Sequence, residues 1–228
     1  MHREGTFVAM LPLFQLTSFI DELSKVELSD QAFNQYSYDH NENAIRRANL
    51  LLYFQQMANI HPRILLVGEA VGYRGGRLTG VPFTSEFLLL NGIERFGLFG
   101  KSRGYRKTKE FEKIWKEPTA TIIWETFTNL NIVPLSWNAF PFHPFHPHDA
   151  QSNRTPTGCE LKIGEPFLRA LIDLFNIETV VAVGEKAEAT LKNIGKVYKK
   201  VRHPAQGGKH QFVQGIHEIT IIQDAHWT

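Results

Sequence analysis

The spacing of hydrophobic residues changes near residue 63. Residues 13–26 and 42–59 carry apolar side chains three and four positions apart, which is the spacing of helices. Beyond them, apolar residues form short continuous runs that end in glycine or polar residues: RILLVG (63–68), NIVPLSWN (131–138), TVVAVG (179–184) and KVYKKVRHP (196–204). Runs of this length are typical of strands that are buried on both faces of a sheet.

Helical segments separate these runs, as in PFLRALIDLF (166–175) and EKAEATLKNI (185–194). The alternation predicts an α/β fold, a three-layer α/β/α sandwich with a mostly parallel central sheet and an N-terminal helical extension. The 228 residues contain no repeat, low-complexity tract or linker. We therefore expect a single domain, 1–228, in which a helical N-terminal cover (1–60) precedes an α/β core (61–228).

Composition narrows the class of protein. Hydrophobic residues make up 43% of the chain and charged residues 21%, as in ordinary folded proteins. One cysteine, Cys159, excludes an internal disulfide and an iron–sulfur cluster held by four cysteines of this chain. No apolar run approaches the ~20 residues that cross a bilayer, and Pro12 interrupts the apolar segment 7–14. We expect a cytoplasmic monomer with no cofactor and no membrane partner.

Positive charge is concentrated in two segments, although the net charge is only +2. Residues 95–116 carry eight Lys or Arg against two Glu, a local charge of +6. Residues 185–209 carry seven against two, a local charge of +5. If both segments lie on one face, that face would attract a polyanion. Two solvated, charge-rich helices are the alternative.

Polar residues that could take part in catalysis or binding directly follow the predicted strands. Glu69 comes after Gly68, and Asn138 ends the second strand. Glu185 follows the third strand, and His203 lies beyond the last one. Because ligands of such folds bind where the carboxyl ends of parallel strands meet, we expect these side chains to converge. Together they would supply an acid or base, an amide and an imidazole, although each alone also fits a turn, a cap or a surface residue.

Four segments resemble the motifs of the uracil-DNA glycosylase superfamily: GEAVG (68–72), TGVPFTSE (79–86), WNAFPFHP (137–144) and HPA (203–205). The resemblance extends from about residue 60 to residue 212, with the motifs in the family's order. It implies a monofunctional enzyme of base excision repair, which hydrolyses the N-glycosidic bond of uracil or a related damaged pyrimidine. The implied partner is DNA that contains uracil or a modified pyrimidine.

The resemblance also implies roles for individual residues. Glu69 would activate water, and His203 would hydrogen-bond the uracil carbonyl as negative charge develops on the leaving base. Phe83 would stack on the extruded base, and Asn138 would read its edge. Gly68, Ala70 and Gly72 complete the implied substrate-binding set. The implied DNA-binding set consists of Arg74, Arg77, Gln206, Gly207, Gly208 and Lys209.

Several residues depart from the family pattern, among them Val71, which stands where the first motif has a proline. Ala70 stands where the best-known members have an aspartate, so either Glu69 supplies the carboxylate or the enzyme is slow. Ala70 also permits a relative that binds damaged DNA without cutting it. Gly72 replaces a tyrosine that excludes thymine, which would admit 5-substituted uracils. The loop 206–208 has no bulky wedge, so we expect poorer action on stable duplex than on single strands, unless Phe212 is the wedge.

The histidine-rich run FPFHPFHPHD (140–149) permits another interpretation. His143, His146 and His148 are metal-ligand types, so a metal-dependent hydrolase is an alternative function. The prolines between them favour an extended backbone, and no known metal-ligand spacing is present. We therefore predict no metal and place the run along the rim of the pocket.

Overall fold

A computed structural model describes residue 11 and residues 13–225 of the chain. Its elements are, in chain order, α1 (Leu13–Ser24), β1 (Ala32–Phe33), α2 (Asn43–Ile60), β2 (Ile64–Ala70), α3 (Gly76–Thr79), α4 (Glu86–Asn91), α5 (Pro118–Leu130), β3 (Leu135–Phe140), β4 (His143–Pro144), α6 (Gly158–Leu174), β5 (Thr179–Val183), α7 (Glu185–Asn193), β6 (Lys199–Val201) and α8 (Lys209–Ala225). Two short 3-10 helices, Glu94–Phe96 and Lys101–Arg103, lie between α4 and α5.

A four-stranded parallel sheet forms the centre of the fold, with the strand order β3-β2-β5-β6. From β2 the chain first adds β3 on one side and then crosses over to add β5 on the other. Ligands of α/β sheets bind at the carboxyl ends of the strands where the chain changes direction in this way. The predicted fold class, a mostly parallel α/β sheet flanked by helices, is confirmed.

The apolar runs of the sequence form these strands, although two of them are shorter than predicted. Residues 65–67 of β2 are fully buried. The second run begins late, because Asn131 adopts a left-handed conformation (φ 55°) that ends α5, and β3 starts only at Leu135. The last run pairs only over Lys199–Val201, since β6 is an edge strand with β5 as its sole partner in the sheet.

Helix α6 begins well before the predicted start at residue 166. A reciprocal cap sets its first turn: Glu160 N donates to Thr157 Oγ1 at 3.2 Å, and Thr157 N donates to Glu160 Oε2 at 2.7 Å. This cap satisfies two backbone donors that would otherwise be unpaired, so the helix starts there and contains Pro166 in its interior.

The N-terminal segment is mostly helical, as predicted, but it also contributes strand β1, which pairs antiparallel with β4. Helix α1 packs on the core through Phe19, whose ring lies edge-on to Trp137 at 5.6 Å. Helix α2 buries polar residues as well. Asn49 Nδ2 donates to the carbonyls of Thr79 and Arg106, both at 2.8 Å. Helix α2 therefore anchors the glycine-rich segment that follows β2.

One hydrophobic cluster extends from Leu16 of α1 to Ile219 of α8 and joins the N-terminal helices to the sheet. Within residues 11 and 13–225, no helix combines the length and the apolar character that a membrane crossing requires.

Candidate active site

A cavity of about 770 Å³ opens at the carboxyl edge of the parallel sheet. The ends of β2 and β3, the loop after β6, the start of α5 and the loop 151–155 surround it. The four side chains that sequence reasoning singled out, scattered along the chain, all line it: Glu69, Phe83, Asn138 and His203. Ala70 and Gly72 line the same cavity.

Gly68 is the point at which two of these side chains meet the backbone. It lies opposite Asn138 in the parallel ladder between β2 and β3. A Cβ atom at Gly68 would lie 2.4 Å from Phe83 Cζ and 2.5 Å from Asn138 Oδ1. Both separations are shorter than real Cβ contacts, so a side chain at this position would force the ring and the amide to shift. The strand therefore ends on glycine because an aromatic ring and an amide occupy the space beside its backbone.

Phe83 is presented to the cavity by a tightly hydrogen-bonded turn. Its φ of 51° is in the left-handed region, which is uncommon for a bulky residue and requires support from the surroundings. Trp124 Nε1 donates to the Phe83 carbonyl at 2.9 Å. Next to it, Thr84 Oγ1 donates to the carbonyl of Val81 at 2.7 Å. The half-buried ring is thus held at the cavity wall, where it can stack on a planar group.

Asn138 carries a buried amide that has no hydrogen-bond partner among the described residues. The residue is only 3% exposed, and no described residue hydrogen-bonds its side chain. Buried amides are nearly always hydrogen-bonded, so an unpaired one that faces a cavity indicates a polar ligand. Its oxygen accepts and its nitrogen donates, which matches the alternating carbonyl and N–H groups of a pyrimidine imide.

His203 is half-buried, and its tautomer follows from one contact. Ala205 N donates to His203 Nδ1 at 3.1 Å, so the proton of the neutral ring is on Nε2. Burial lowers the pKa of His203 below its ordinary value, while the nearby Glu117 carboxylate opposes this shift and Arg202 adds to it. At neutral pH the ring is therefore an uncharged Nε2–H donor.

Two carboxylates face the cavity, and sequence analysis found only one of them. Glu69, at the end of β2, is half-buried and has no hydrogen bond or ion pair among the described residues. Glu117 caps α5, accepting from Thr119 N at 3.0 Å and from Ala120 N at 2.5 Å. A glutamate before a proline at the start of an apolar helical run is a capping signal that could have indicated Glu117. The cap fixes this carboxylate, whereas Glu69 remains available to a water molecule.

The segment after β3 closes one side of the cavity. His143 is fully buried, and its Nδ1 lies 2.9 Å from the carbonyl oxygen of Val71. Asn153 Oδ1 accepts from the Tyr73 backbone N–H at 2.7 Å. Both contacts hold the turn after β2 in place. Of the predicted run, His146 and His148 are exposed.

The burial of His143 predicts a dependence of stability on pH. Burial lowers the pKa of His143, against the opposing effect of the Val71 carbonyl. The unfolded chain therefore binds a proton more readily, and the free energy of unfolding falls as pH drops below about 6.5, by at most about 1.4 kcal/mol per pH unit for this group. Replacing His143 by Asn, which can still donate to Val71, should reduce this slope in denaturant titrations between pH 7 and 5. An unchanged slope would assign the acid sensitivity to other groups such as His203.

The residues predicted to bind DNA lie in three different settings. Arg74 is exposed at the rim of the cavity, and Gln206 (φ 53°) also lines it. Gly207 is exposed on the following turn. Lys209 begins α8, and its Nζ lies 3.4 Å from Glu125 Oε2 of α5. Gly208 is buried, and a Cβ there would lie 2.0 Å from the His203 carbonyl oxygen. Its structural role is to let the loop fold back onto His203.

Two predictions about DNA contacts do not fit the structure. Arg77 is 9% exposed and lies outside this cavity, where its Nη1 pairs with Glu110 Oε1 at 2.6 Å and its guanidinium packs on Phe33. Arg77 shares the Glu110 carboxylate with Arg46, so an ion pair within the protein, and not a phosphate, holds its guanidinium. Phe212 is fully buried in the core and cannot act as a wedge between bases.

The metal-dependent alternative is also not supported by the geometry. Among the described residues, no group of three or more His, Cys, Asp or Glu side chains is arranged to hold a metal ion. His143 is directed at backbone carbonyls, and the two exposed histidines do not join it.

Comparisons with known proteins agree with this architecture. A family model described as the uracil DNA glycosylase superfamily matches residues 55–220. Solved structures include 32 matching chains. One of them, the crystal structure of wild-type Pedobacter heparinus SMUG2, is 16% identical with a TM-score of 0.67, over 95% of this chain and 98% of that chain. At this identity the likeness shows the fold. No curated protein sequence matches.

The fold and the cavity define a class of α/β protein that binds its ligand at the carboxyl edge of a parallel sheet. The chain belongs to the uracil-DNA glycosylase superfamily, whose members are DNA glycosylases that act on damaged DNA. Its function is accordingly of the uracil-DNA glycosylase type, and the family predicted from the sequence motifs is confirmed.

Proposed function

We propose that this protein is a monofunctional DNA glycosylase that hydrolyses the N-glycosidic bond of uracil or a related damaged pyrimidine in DNA. The observation that supports this most directly is the unpaired, 3% exposed amide of Asn138 beside the Phe83 ring, in one cavity with Glu69 and His203. We also propose that the chain folds as one domain, since one hydrophobic cluster joins its parts, and that it acts as a cytoplasmic monomer.

Recognition of the base begins with its extrusion from the helix. A base inside a duplex cannot reach a cavity at a sheet edge, so the nucleotide must rotate out of the stack. The Phe83 ring then stacks on the pyrimidine, and the Asn138 amide hydrogen-bonds its polar edge. Because the amide has no partner within residues 11 and 13–225, the base satisfies it without breaking a hydrogen bond to any of them.

Departure of the base requires stabilisation of negative charge. As the bond between C1′ and the ring nitrogen breaks, its electron pair moves onto the pyrimidine and its carbonyl oxygens. The His203 Nε2–H donates a hydrogen bond to one of these oxygens. A neutral donor suits this role, because it needs no proton from solvent and its strength grows as charge develops. Because burial lowers the pKa of His203, the ring is neutral at pH 7.

Attack by water completes the reaction. The Glu69 carboxylate accepts a proton from the water, whose oxygen bonds to C1′ and leaves an abasic sugar and the free base. The same negative charge stabilises the cation-like sugar as the bond breaks. No residue of this scheme forms a covalent bond to the sugar, which makes the enzyme monofunctional. Glu117 has a fixed capping role and is not the base in this scheme.

Gly72 affects which bases the cavity can admit. A Cβ at this position would meet only Asn153 Oδ1, at an ordinary 3.9 Å, so the backbone geometry does not require glycine. The space is left to the cavity. We propose that it admits substituents at the 5-position of uracil.

An assay for abasic sites on a uracil-containing single strand tests the proposal. The wild type should produce abasic sites, and Asn138→Ala should reduce the rate constant by roughly 5- to 150-fold, the value of a bidentate contact to one base. The buried amide forms no hydrogen bond in the part of the chain that the structure describes, so the variant should fold normally. The absence of abasic sites with wild type on single and double strands, together with retained binding, would favour the alternative of a damage-binding relative that Ala70 suggested.

A further inference from the structure

A surface beside the mouth of the cavity combines aromatic, apolar and positively charged side chains. We define the aromatic–lysine strip as Phe87, Lys113, Ile114, Trp115 and Lys116. Phe87 is 40% exposed and Ile114 is 43% exposed. The residue that follows the strip in the chain lines the cavity, so the strip is continuous with the cavity's rim.

Aromatic rings, and not carboxylates, hold the positive charges of the strip. Lys113 Nζ lies 4.8 Å from the centroid of the Trp115 ring, and Lys116 Nζ lies 4.2 Å from that of Phe87. Arg74, on the cavity rim, places its guanidinium carbon 4.9 Å from the Trp115 centroid. In the described part of the chain, none of these three cations has an ion pair or a hydrogen bond.

The ring contacts leave the three cations available to an anion. A ring face positions an exposed cation about as strongly as a surface carboxylate does, but it leaves the positive charge uncompensated and the N–H donors free. Phosphate oxygens accept charge-assisted hydrogen bonds from such donors. The segment 95–116 carries a local charge of +6, so the strip lies in a region that attracts a polyanion.

Backbone contacts fix the strip relative to the cavity. Phe87 N donates to the Trp115 carbonyl at 3.0 Å, and Trp115 N donates to Glu86 Oε2 at 3.0 Å. Glu86 is fully buried at the first turn of α4, directly after the turn that carries Phe83. A DNA strand with a nucleotide in the cavity would therefore meet the strip at a defined distance.

A nucleotide in the cavity remains joined to its neighbours, so the strand must cross the rim. We propose that the aromatic–lysine strip binds the DNA strand next to the extruded nucleotide, with Lys113 and Lys116 on its phosphates and Phe87 against an unpaired base. This inference depends on the proposed function for the identity of the strand. It assigns to the strip the contacts with flanking nucleotides that the cavity itself cannot make.

The phosphate contacts are tested by the salt dependence of binding. Binding of a uracil-free single-stranded oligonucleotide is measured by fluorescence anisotropy at increasing salt for the wild type and for Lys113→Gln/Lys116→Gln. Loss of two phosphate contacts should lower the slope of log K against log[salt] by about 1.4, which makes binding at 0.1 M salt roughly 25-fold weaker. The matched control, Lys162→Gln/Arg169→Gln, removes two exposed charges of α6 that lie outside both basic segments and have no ion pair among the described residues, and it should keep the wild-type slope.

The base contact has a separate test. Phe87→Ala should weaken binding of the oligonucleotide roughly fivefold or more, the value of one lost stacking contact. Binding of inorganic polyphosphate, which has no bases, should weaken less than binding of the oligonucleotide, because the variant loses only the ring contact of Lys116. The salt slope should stay unchanged, because both lysines remain. The Phe87 side chain is exposed, so thermal unfolding of the variant should match the wild type.

The outcomes separate this inference from the proposed function. A wild-type slope in the double lysine variant, or equal losses in the control, would overturn the phosphate contacts. An unchanged affinity in Phe87→Ala would overturn the base contact. If strip variants weaken binding but the wild type forms no abasic sites on uracil-containing DNA, the strip stands and the glycosylase proposal fails. If the wild type forms abasic sites but the strip variants bind DNA as the wild type does, the glycosylase proposal stands and the inference about the strip fails.

Discussion

Replacing Glu69 by glutamine is expected to lower the rate constant of base release by roughly 10²- to 10⁴-fold, the usual contribution of a positioned general base. Glutamine has nearly the same shape but cannot accept a proton from water or offset positive charge on the sugar. Glu69 has no hydrogen bond or ion pair among the described residues, so its loss should leave the fold unchanged. Single-turnover cleavage of a uracil-containing single strand, followed by alkaline scission at abasic sites, measures the effect.

Glu117→Gln is the matched control for this experiment, because it removes a second carboxylate from the same cavity. Glutamine keeps one of the two capping oxygens, so the hydrogen bond from Thr119 N or from Ala120 N is lost, and the remaining one should let α5 form. We expect a change of less than tenfold. A large loss in Glu117→Gln with little loss in Glu69→Gln would transfer the role of general base to Glu117 and refute the assignment made here.

Replacing Gly68 by alanine should impair activity through geometry alone. The new Cβ would lie 2.4 Å from Phe83 Cζ and 2.5 Å from Asn138 Oδ1, so the ring and the amide must each move by about 1 Å to reach ordinary contact. A displacement of this size costs roughly 10²-fold in rate, and overpacking lowers the free energy of unfolding by about 1–3 kcal/mol. Abasic-site kinetics and denaturant unfolding measure the two effects.

Gly158→Ala provides the control, because its Cβ would meet nothing within 4 Å at the start of α6. This variant should keep wild-type activity and stability. Wild-type activity in Gly68→Ala would show that Phe83 and Asn138 need not lie where the structure places them. The cavity would then have lost its main support as the base-binding site.

The order of residues along the chain was enough to predict the central part of the site. Glu69, Asn138 and His203 each follow or end an apolar run, and the run order is enough to place them at one edge of a parallel sheet. The motifs that resemble a known family supplied Phe83, which lies on a turn and not at a strand end. The structure brings all four into one cavity.

Other residues could not be placed from the sequence, because their environment depends on distant partners. Arg77 follows the cavity turn directly, yet Glu110, more than 30 positions later, pairs with it inside the protein. Phe212 follows the loop of His203, yet it points into the core. Glu117 was overlooked because its position on the cavity depends on where α5 packs against the sheet.

Local patterns along the chain determine the strands, their carboxyl ends and the glycine that ends β2, because hydrophobic spacing and turn chemistry act over a few residues. They also indicate the family. Tertiary packing alone decides which charges are neutralised and which stay open to a ligand. Charge compensation and burial are set by residues that are far apart in the chain, so an arginine, a phenylalanine or a glutamate next to a motif can be internal, structural or available to DNA.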